Sequence, residues 1–125
     1  KDMISLHRLK QSLTHALRGV RVVFVAEQSF RLQVIAAIAV VAAGFYFQVT
    51  SNEFVILMLL IGAILSLEMI NSIFERIVDS FKPRIHPIVK DIKDIMAGAV
   101  LVASVAAVAI GVTIFDSYIL ALVSG

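Results

Sequence analysis

The 125 residues are 60% hydrophobic and only 16% charged, whereas a soluble domain is roughly 45–50% apolar and about 25% charged. This composition argues against a soluble single domain, and the net charge of +2 is too small to indicate a nucleic-acid partner. The absence of cysteine excludes a disulfide framework and a Cys nucleophile. A separate nucleotide-binding domain would take on the order of 100 residues, so we expect the membrane part itself to carry out any chemistry.

The first segment, residues 1–29, has the pattern of an amphipathic helix. Leu6, Leu9, Leu13 and Leu17 recur at spacings of three and four, while basic residues occupy other positions. This pattern is typical of a helix that lies on a membrane surface with its apolar face in the lipid. The alternative is that the same face packs on a partner protein.

Three apolar runs follow, and each approaches the ~20 residues that cross a bilayer. They predict membrane-spanning helices at residues 31–49, 54–81 and 92–123. A polar turn separates the first two spans, and a loop with Pro83 and Pro87 as helix breakers separates the last two. We therefore expect an all-α integral membrane protein in which residues 1–125 form one membrane domain.

The basic residues predict the orientation of these spans. Six lie at or before Arg31 and five lie around the second connection, and together they account for all 11 Lys and Arg residues. The first connection and the C-terminal tail carry none. Because cytoplasmic segments are enriched in Lys and Arg, we expect a cytoplasmic N-terminus and a C-terminus on the outer side.

Four polar residues share one stripe of the second span: Glu68, Asn71, Glu75 and Asp79. At 100° per residue they fall within about 80° of one another. An ionised carboxylate near the bilayer centre costs about 2.5–3.5 kcal/mol, so these side chains should face protein, a cation or a wet cavity. The structural alternative is that Glu68 and Glu75 form buried ion pairs with nearby basic residues, namely Arg76, Arg31 or Lys93.

The stripe has the chemistry that phosphoryl transfer requires. Carboxylates and an amide supply the hard oxygen ligands that Mg²⁺ prefers, and Lys93 can meet a phosphate as a point charge. Glu27 lies four residues before Arg31, which on its own indicates an ordinary surface pair. There is no phosphate-binding G-x-x-x-x-G-K-[ST] loop, so side chains would have to hold any nucleotide. Glu68, deeper in the membrane, could act as general base on a lipid hydroxyl.

Three stretches resemble the small prokaryotic diacylglycerol kinase family, which also includes the undecaprenol kinases. They are HALRGVRVVFVAEQSFR (15–31), LEMINSIFERIVD (67–79) and HPIVKDIKDIMAGAVLVA (86–103). The resemblance implies a homotrimer in the bacterial cytoplasmic membrane, with active sites between subunits that transfer the γ-phosphate of MgATP to a lipid hydroxyl. It implies diacylglycerol as the acceptor, to give phosphatidic acid, with undecaprenol as the alternative; Gln33 and His15 depart from the diacylglycerol branch.

The resemblance also implies roles for individual residues. Glu68 becomes the general base, Glu27 and Glu75 become the metal ligands, and Asn71 supports the site. The residues implied to bind nucleotide are Lys93, Asp94, Arg8, Arg84 and His86. Two readings without a kinase remain open: an ion or proton pathway lined by the acidic stripe, and a structural subunit whose acids bridge to a partner.

Overall fold

The computed structural model describes residues 3–81 and 87–125. This part of the chain forms four helices, α1 (Leu6–Ala26), α2 (Gln28–Tyr46), α3 (Ser51–Asp79) and α4 (Pro87–Ser124). The last three are long and apolar enough to cross a membrane. The prediction of an all-α chain with three apolar spans is therefore confirmed.

The helices begin a few residues before the predicted spans. Helix α3 begins at Ser51 because Thr50 forms a capping box: its hydroxyl accepts a hydrogen bond from the Glu53 N–H at 3.2 Å, and Glu53 Oε1 accepts one from the Thr50 N–H at 2.9 Å. Helix α4 includes Pro87 as its first residue, a position where a missing N–H costs nothing. Pro87 is therefore the first residue of a helix, and the prediction that it acts as a helix breaker is corrected.

Helix α2 ends three residues before the predicted boundary because the chain turns sharply there. Gln48 has a positive φ of 52°, and the N–H groups of Gln48 and Val49 donate to the carbonyls of Phe45 and Gly44 at 3.3 and 3.1 Å. These bonds form a Schellman motif. Gly44 is buried where α2 meets α3, and a Cβ there would lie 3.6 Å from the Phe54 ring, in ordinary van der Waals contact.

Side-chain contacts join this turn to the C-terminal half of α4. The Tyr118 hydroxyl donates to Glu53 Oε1. The Phe47 ring lies 6.0 Å from the ring of Phe115 and 6.0 Å from that of Tyr118, measured between centroids. We call this part of the molecule the Tyr118 end.

Helix α3 packs against both α2 and α4, and α1 packs against α2 and α3. Few apolar side chains are buried by this packing; in the described residues they are Val23, Phe30, Leu57, Val78 and Ile114. Most leucines, isoleucines and valines of the long helices point outward. Such outward-facing apolar surface is what a lipid environment accepts.

Candidate active site

Glu27 forms a break of one residue between α1 and α2. It caps the end of α1 and the start of α2, and its backbone is extended, with φ −112° and ψ 114°. The Glu27 N–H still donates to the Val23 carbonyl at 2.8 Å, and its carbonyl accepts from the Arg31 N–H at 3.3 Å. Its side chain makes no capping bond to α2. The carboxylate is therefore available to another helix.

The side chain of Arg31 stabilises this break by donating hydrogen bonds to the backbone of α1. Its Nη1 donates to the carbonyl oxygens of Phe24 and Val25, at 2.8 Å each. Carbonyls in the last turn of a helix lack partners within the helix, and Arg31 supplies one for both. The interpretation of Glu27 and Arg31 as a surface ion pair is therefore wrong, because the guanidinium is directed at the α1 backbone.

The carboxylate of Glu27 bonds to α3 instead. Ser72 Oγ donates to Glu27 Oε1 at 3.1 Å, and Ser72 is only 1% exposed. One turn earlier on α3, Glu68 is 5% exposed and lies beside Ser29 of α2, within electrostatic reach of Glu27 and Glu75. Helices α2 and α3 and the break at Glu27 thus bring three carboxylates and two hydroxyls together. We call this group the carboxylate cluster: Glu27, Glu68, Glu75, Ser29 and Ser72.

The sequence prediction missed both serines. Periodicity placed Glu68 on a polar stripe, but it gave no reason to single out Ser29 or Ser72. A signal did exist, because Ser72 follows Glu68 by four residues and so lies directly beside it on the helix surface. The partner across the helix interface cannot be read from such spacing.

Asn71 and Glu75 form the next layer of the stripe. Asn71 Nδ2 donates to Glu75 Oε1 at 3.2 Å, and both side chains are half-buried. Within the described residues, Asn71 Oδ1 is buried without a hydrogen-bond partner. A buried acceptor without a partner costs about 1–3 kcal/mol, so this oxygen is suited to meet a ligand.

The remaining predicted residues stand apart from this cluster. Lys93 Nζ lies 3.1 Å from Asp79 Oδ1, and the two side chains are 35% and 48% exposed. Asp94 is exposed on α4. Arg8 is exposed near the other end of α1, about 28 Å from Glu27 at 1.5 Å per helical residue. Two predicted nucleotide contacts, Arg84 and His86, lie outside the described residues.

The geometry bears on the ion-pair alternative and on metal binding. Arg31 donates to the α1 backbone and Lys93 pairs with Asp79. Within the described residues, Arg76 forms no ion pair with Glu68 or Glu75, so the buried ion pairs of this alternative are absent there. Across residues 3–81 and 87–125, no group of three or more His, Asp or Glu side chains could hold a metal ion by itself. Mg²⁺ is commonly held by one or two carboxylates plus substrate phosphates. The carboxylates of Glu27 and Glu75 and the amide oxygen of Asn71, which has no partner among the described residues, are oxygen donors of the kind that such an ion takes.

An apolar groove runs along α3 between α2 and α4. Its volume is about 850 Å³, and its lining extends from Gln33 near the cluster to Asp116 and Leu120 at the Tyr118 end. Gln33 lies one turn beyond Ser29, and Leu65 lies one turn before Glu68, so the groove begins next to the carboxylates. Within the described residues, Gln33 Oε1 is buried without a partner.

Comparison with known proteins places the chain among enzymes. The family model described as prokaryotic diacylglycerol kinase matches residues 14–115. An undecaprenol kinase of Bacillus subtilis is 39% identical over 110 residues, which are 88% of this chain and 89% of that protein. A diacylglycerol kinase of Synechocystis is 32% identical over 101 residues, 80% of this chain but only 58% of that protein. The chain therefore belongs to the prokaryotic diacylglycerol kinase family, a family of membrane lipid kinases.

Proposed function

We propose that this protein transfers the γ-phosphate of MgATP to the hydroxyl group of a membrane lipid. The observation that carries the proposal is the position of Glu68. It is a buried carboxylate beside Glu27 and Glu75, at the point where an apolar groove begins. A lipid kinase needs an acidic, nucleotide-facing site and a hydrocarbon-facing site in contact with each other, and this arrangement supplies both.

Glu68 would act as the general base. The lipid oxygen forms a bond to the γ-phosphorus, the bond from that phosphorus to the bridging oxygen breaks, and ADP leaves. The hydroxyl proton passes to the Glu68 carboxylate, which must therefore lie within hydrogen-bond reach of the lipid hydroxyl. Burial next to Ser29 keeps the side chain in place for this transfer.

Glu27 and Glu75 would hold Mg²⁺, with the Asn71 amide oxygen as a further ligand or as an acceptor for a bound water. When bound, the ion neutralises negative charge on the phosphates. Glu75 is oriented by Asn71 Nδ2 and Glu27 by the Ser72 hydroxyl, so these carboxylates have donors that fix their rotamers before any ligand binds.

Lys93 and Asp94 would contact the nucleotide. Lys93 has to leave Asp79 to do so, and the cost is small because an exposed ion pair is worth about 0–1 kcal/mol. Arg84 and His86 remain predicted contacts. Arg8 could serve the same site only from a neighbouring copy, given its distance along α1 from Glu27, and this requirement is consistent with the expected homotrimer.

The acceptor lipid has two candidates. Undecaprenol is favoured by the 39% identical relative, which matches this chain over most of both lengths. Diacylglycerol, the acceptor expected from the resemblance, is favoured by the second relative. The groove supports either lipid, because it offers about 850 Å³ of apolar volume along α3 and begins beside the proposed base.

We further propose the setting implied by the basic residues and by family membership. The N-terminus and the cluster around Glu68 face the cytoplasm, the Tyr118 end faces outward, and the chain lies in the bacterial cytoplasmic membrane. The exposed leucines of α1, Leu6, Leu9, Leu13 and Leu17, rest in the surface of the bilayer.

A lipid panel tests the proposal directly. Purified protein in lipid bilayers is offered MgATP with undecaprenol, diacylglycerol or other lipid alcohols, and the products are identified by mass spectrometry. We expect one phosphorylated lipid to dominate, and expect Glu68→Gln and Glu75→Gln to abolish it while the assembly survives. Unchanged turnover in both variants would overturn the assigned roles. Cation or proton flux in liposomes without ATP, and no lipid product, would instead favour the ion-pathway alternative.

A further inference from the structure

Ser72 departs from the usual behaviour of hydroxyl side chains in helices. Serine and threonine inside a helix commonly donate to a carbonyl of their own preceding turn. Thr14 and Thr113 do so in this chain, at 2.9 and 2.8 Å. Ser72 Oγ instead donates to Glu27 Oε1, 45 residues away in sequence. With 1% exposure, Ser72 is the most deeply buried of the described side chains.

Glu27 has little else to orient its carboxylate. Its backbone is extended, and its side chain makes no capping bond. Arg31 stabilises the break by bonding the carbonyls of Phe24 and Val25, and this interaction fixes the peptide rather than the carboxylate. The Ser72 hydroxyl therefore sets the direction of the Glu27 side chain, and it engages one of the two carboxylate oxygens.

We propose that Ser72 is a positioning residue that holds Glu27 ready for the nucleotide-bound cation and ties the break between α1 and α2 to α3. This inference rests on the proposed function, since it assigns Glu27 to the cation. Ser72 itself contacts neither substrate nor ion. Its contribution is preorganisation: a carboxylate already held in one rotamer loses less conformational freedom when it binds.

The kinetic test compares Ser72→Ala with Ser66→Ala, a matched change at an exposed serine of the same helix. In Ser72→Ala we expect the Mg²⁺ concentration for half-maximal activity to rise about tenfold, or about 1.4 kcal/mol. At saturating Mg²⁺ we expect turnover to recover to within about threefold, as for a lost orienting bond. The KM for the lipid should not change. Ser66→Ala should match the wild type in all three.

A second readout does not depend on activity. Because the chain has no cysteine, spin labels can be placed through Leu17→Cys on α1 and Ile77→Cys on α3, both exposed positions. Labelled chains are diluted with unlabelled ones so that distances within a chain dominate. We expect Ser72→Ala, but not Ser66→Ala, to broaden the distance distribution.

The outcomes separate the two proposals. If wild-type protein phosphorylates no lipid, the proposed function fails, and the role of Ser72 in orienting a cation ligand fails with it. The distance measurement still reports whether Ser72 ties the break to α3. If Ser72→Ala retains wild-type Mg²⁺ dependence, the positioning role is overturned even when the distances broaden. If Ser72→Ala does not fold, Ser72→Cys, which keeps the size with a weaker donor, replaces it in the kinetic assay under the same criteria.

Discussion

Replacing Asn71 by leucine should separate stability from activity. The two side chains have the same number of heavy atoms, and Asn71 is only half-buried, so leucine has room to adjust. The change removes the buried Oδ1 that has no partner among the described residues, a gain of about 1–3 kcal/mol. It also removes the 3.2 Å hydrogen bond to the Glu75 carboxylate, a loss of about 1.5–3 kcal/mol for a bond to a charged group.

The two effects nearly cancel, so the free energy of unfolding of ligand-free Asn71→Leu should lie within about 2 kcal/mol of the wild-type value. The assay is unfolding in detergent micelles, with and without MgATP. Wild-type protein should gain about 2.7 kcal/mol when the nucleotide is at 100 times its dissociation constant, whereas Asn71→Leu should gain little. We expect its turnover to fall by at least about 100-fold, the lower end of the effect of losing a catalytic-site contact.

Gln33→Leu is the matched control. Gln33 also carries a buried amide oxygen without a partner among the described residues, but it lines the apolar groove rather than the carboxylate cluster. Gln33→Leu removes that oxygen and breaks no bond to Glu75, so it should be more stable than the wild type by about 1–3 kcal/mol and should keep its stabilisation by MgATP. Its KM for the lipid is expected to change, because Gln33 lines the groove. A ligand-free Asn71→Leu protein that is destabilised by more than about 2 kcal/mol would refute the reasoning, because Oδ1 would then have been making a favourable bond.

Five further substitutions test other parts of the molecule. Glu68→Gln should lower turnover by about 10²–10⁴-fold, while Glu53→Gln on the same helix should leave it unchanged in the lipid kinase assay. Tyr118→Phe should lower the thermal midpoint by removing the bond to Glu53, with turnover retained; an unaltered midpoint would show that this bond does not stabilise the protein. Lys93→Met should raise the KM for ATP in the kinase assay, whereas Asp79→Asn, which removes the exposed partner of Lys93, should leave that KM unchanged.

The number and type of helices could be predicted because lipid imposes a simple rule: backbone groups must be paired within each span, and the span must be long enough. The helix ends could not be obtained from hydropathy. The capping box of Thr50 and Glu53 starts α3 three residues before the apolar run, and Pro87 opens α4 instead of ending a segment. Both effects come from the local hydrogen bonding of the backbone, which hydropathy does not measure.

The site was predictable along one helix and not between helices. Helical periodicity places Glu68, Asn71 and Glu75 on one side of α3, and in the structure these side chains are neighbours. The surface pair that the spacing of Glu27 and Arg31 would indicate on its own does not form, because spacing rules hold only within a continuous helix and the helix breaks at Glu27. The contact of Ser72 with Glu27 depends on how α3 packs against that break, which spacing along one segment does not determine.

The break of a single residue at Glu27 also restricts how this part of the sequence can change in length. One residue added or removed there, where the backbone is extended, would shift α1 by about 3.3 Å relative to α2. The carbonyls of Phe24 and Val25 would then leave Arg31, and Glu27 would leave Ser72. A related sequence with an insertion at this point would need a compensating change elsewhere, so substitutions should be far more common here than insertions or deletions.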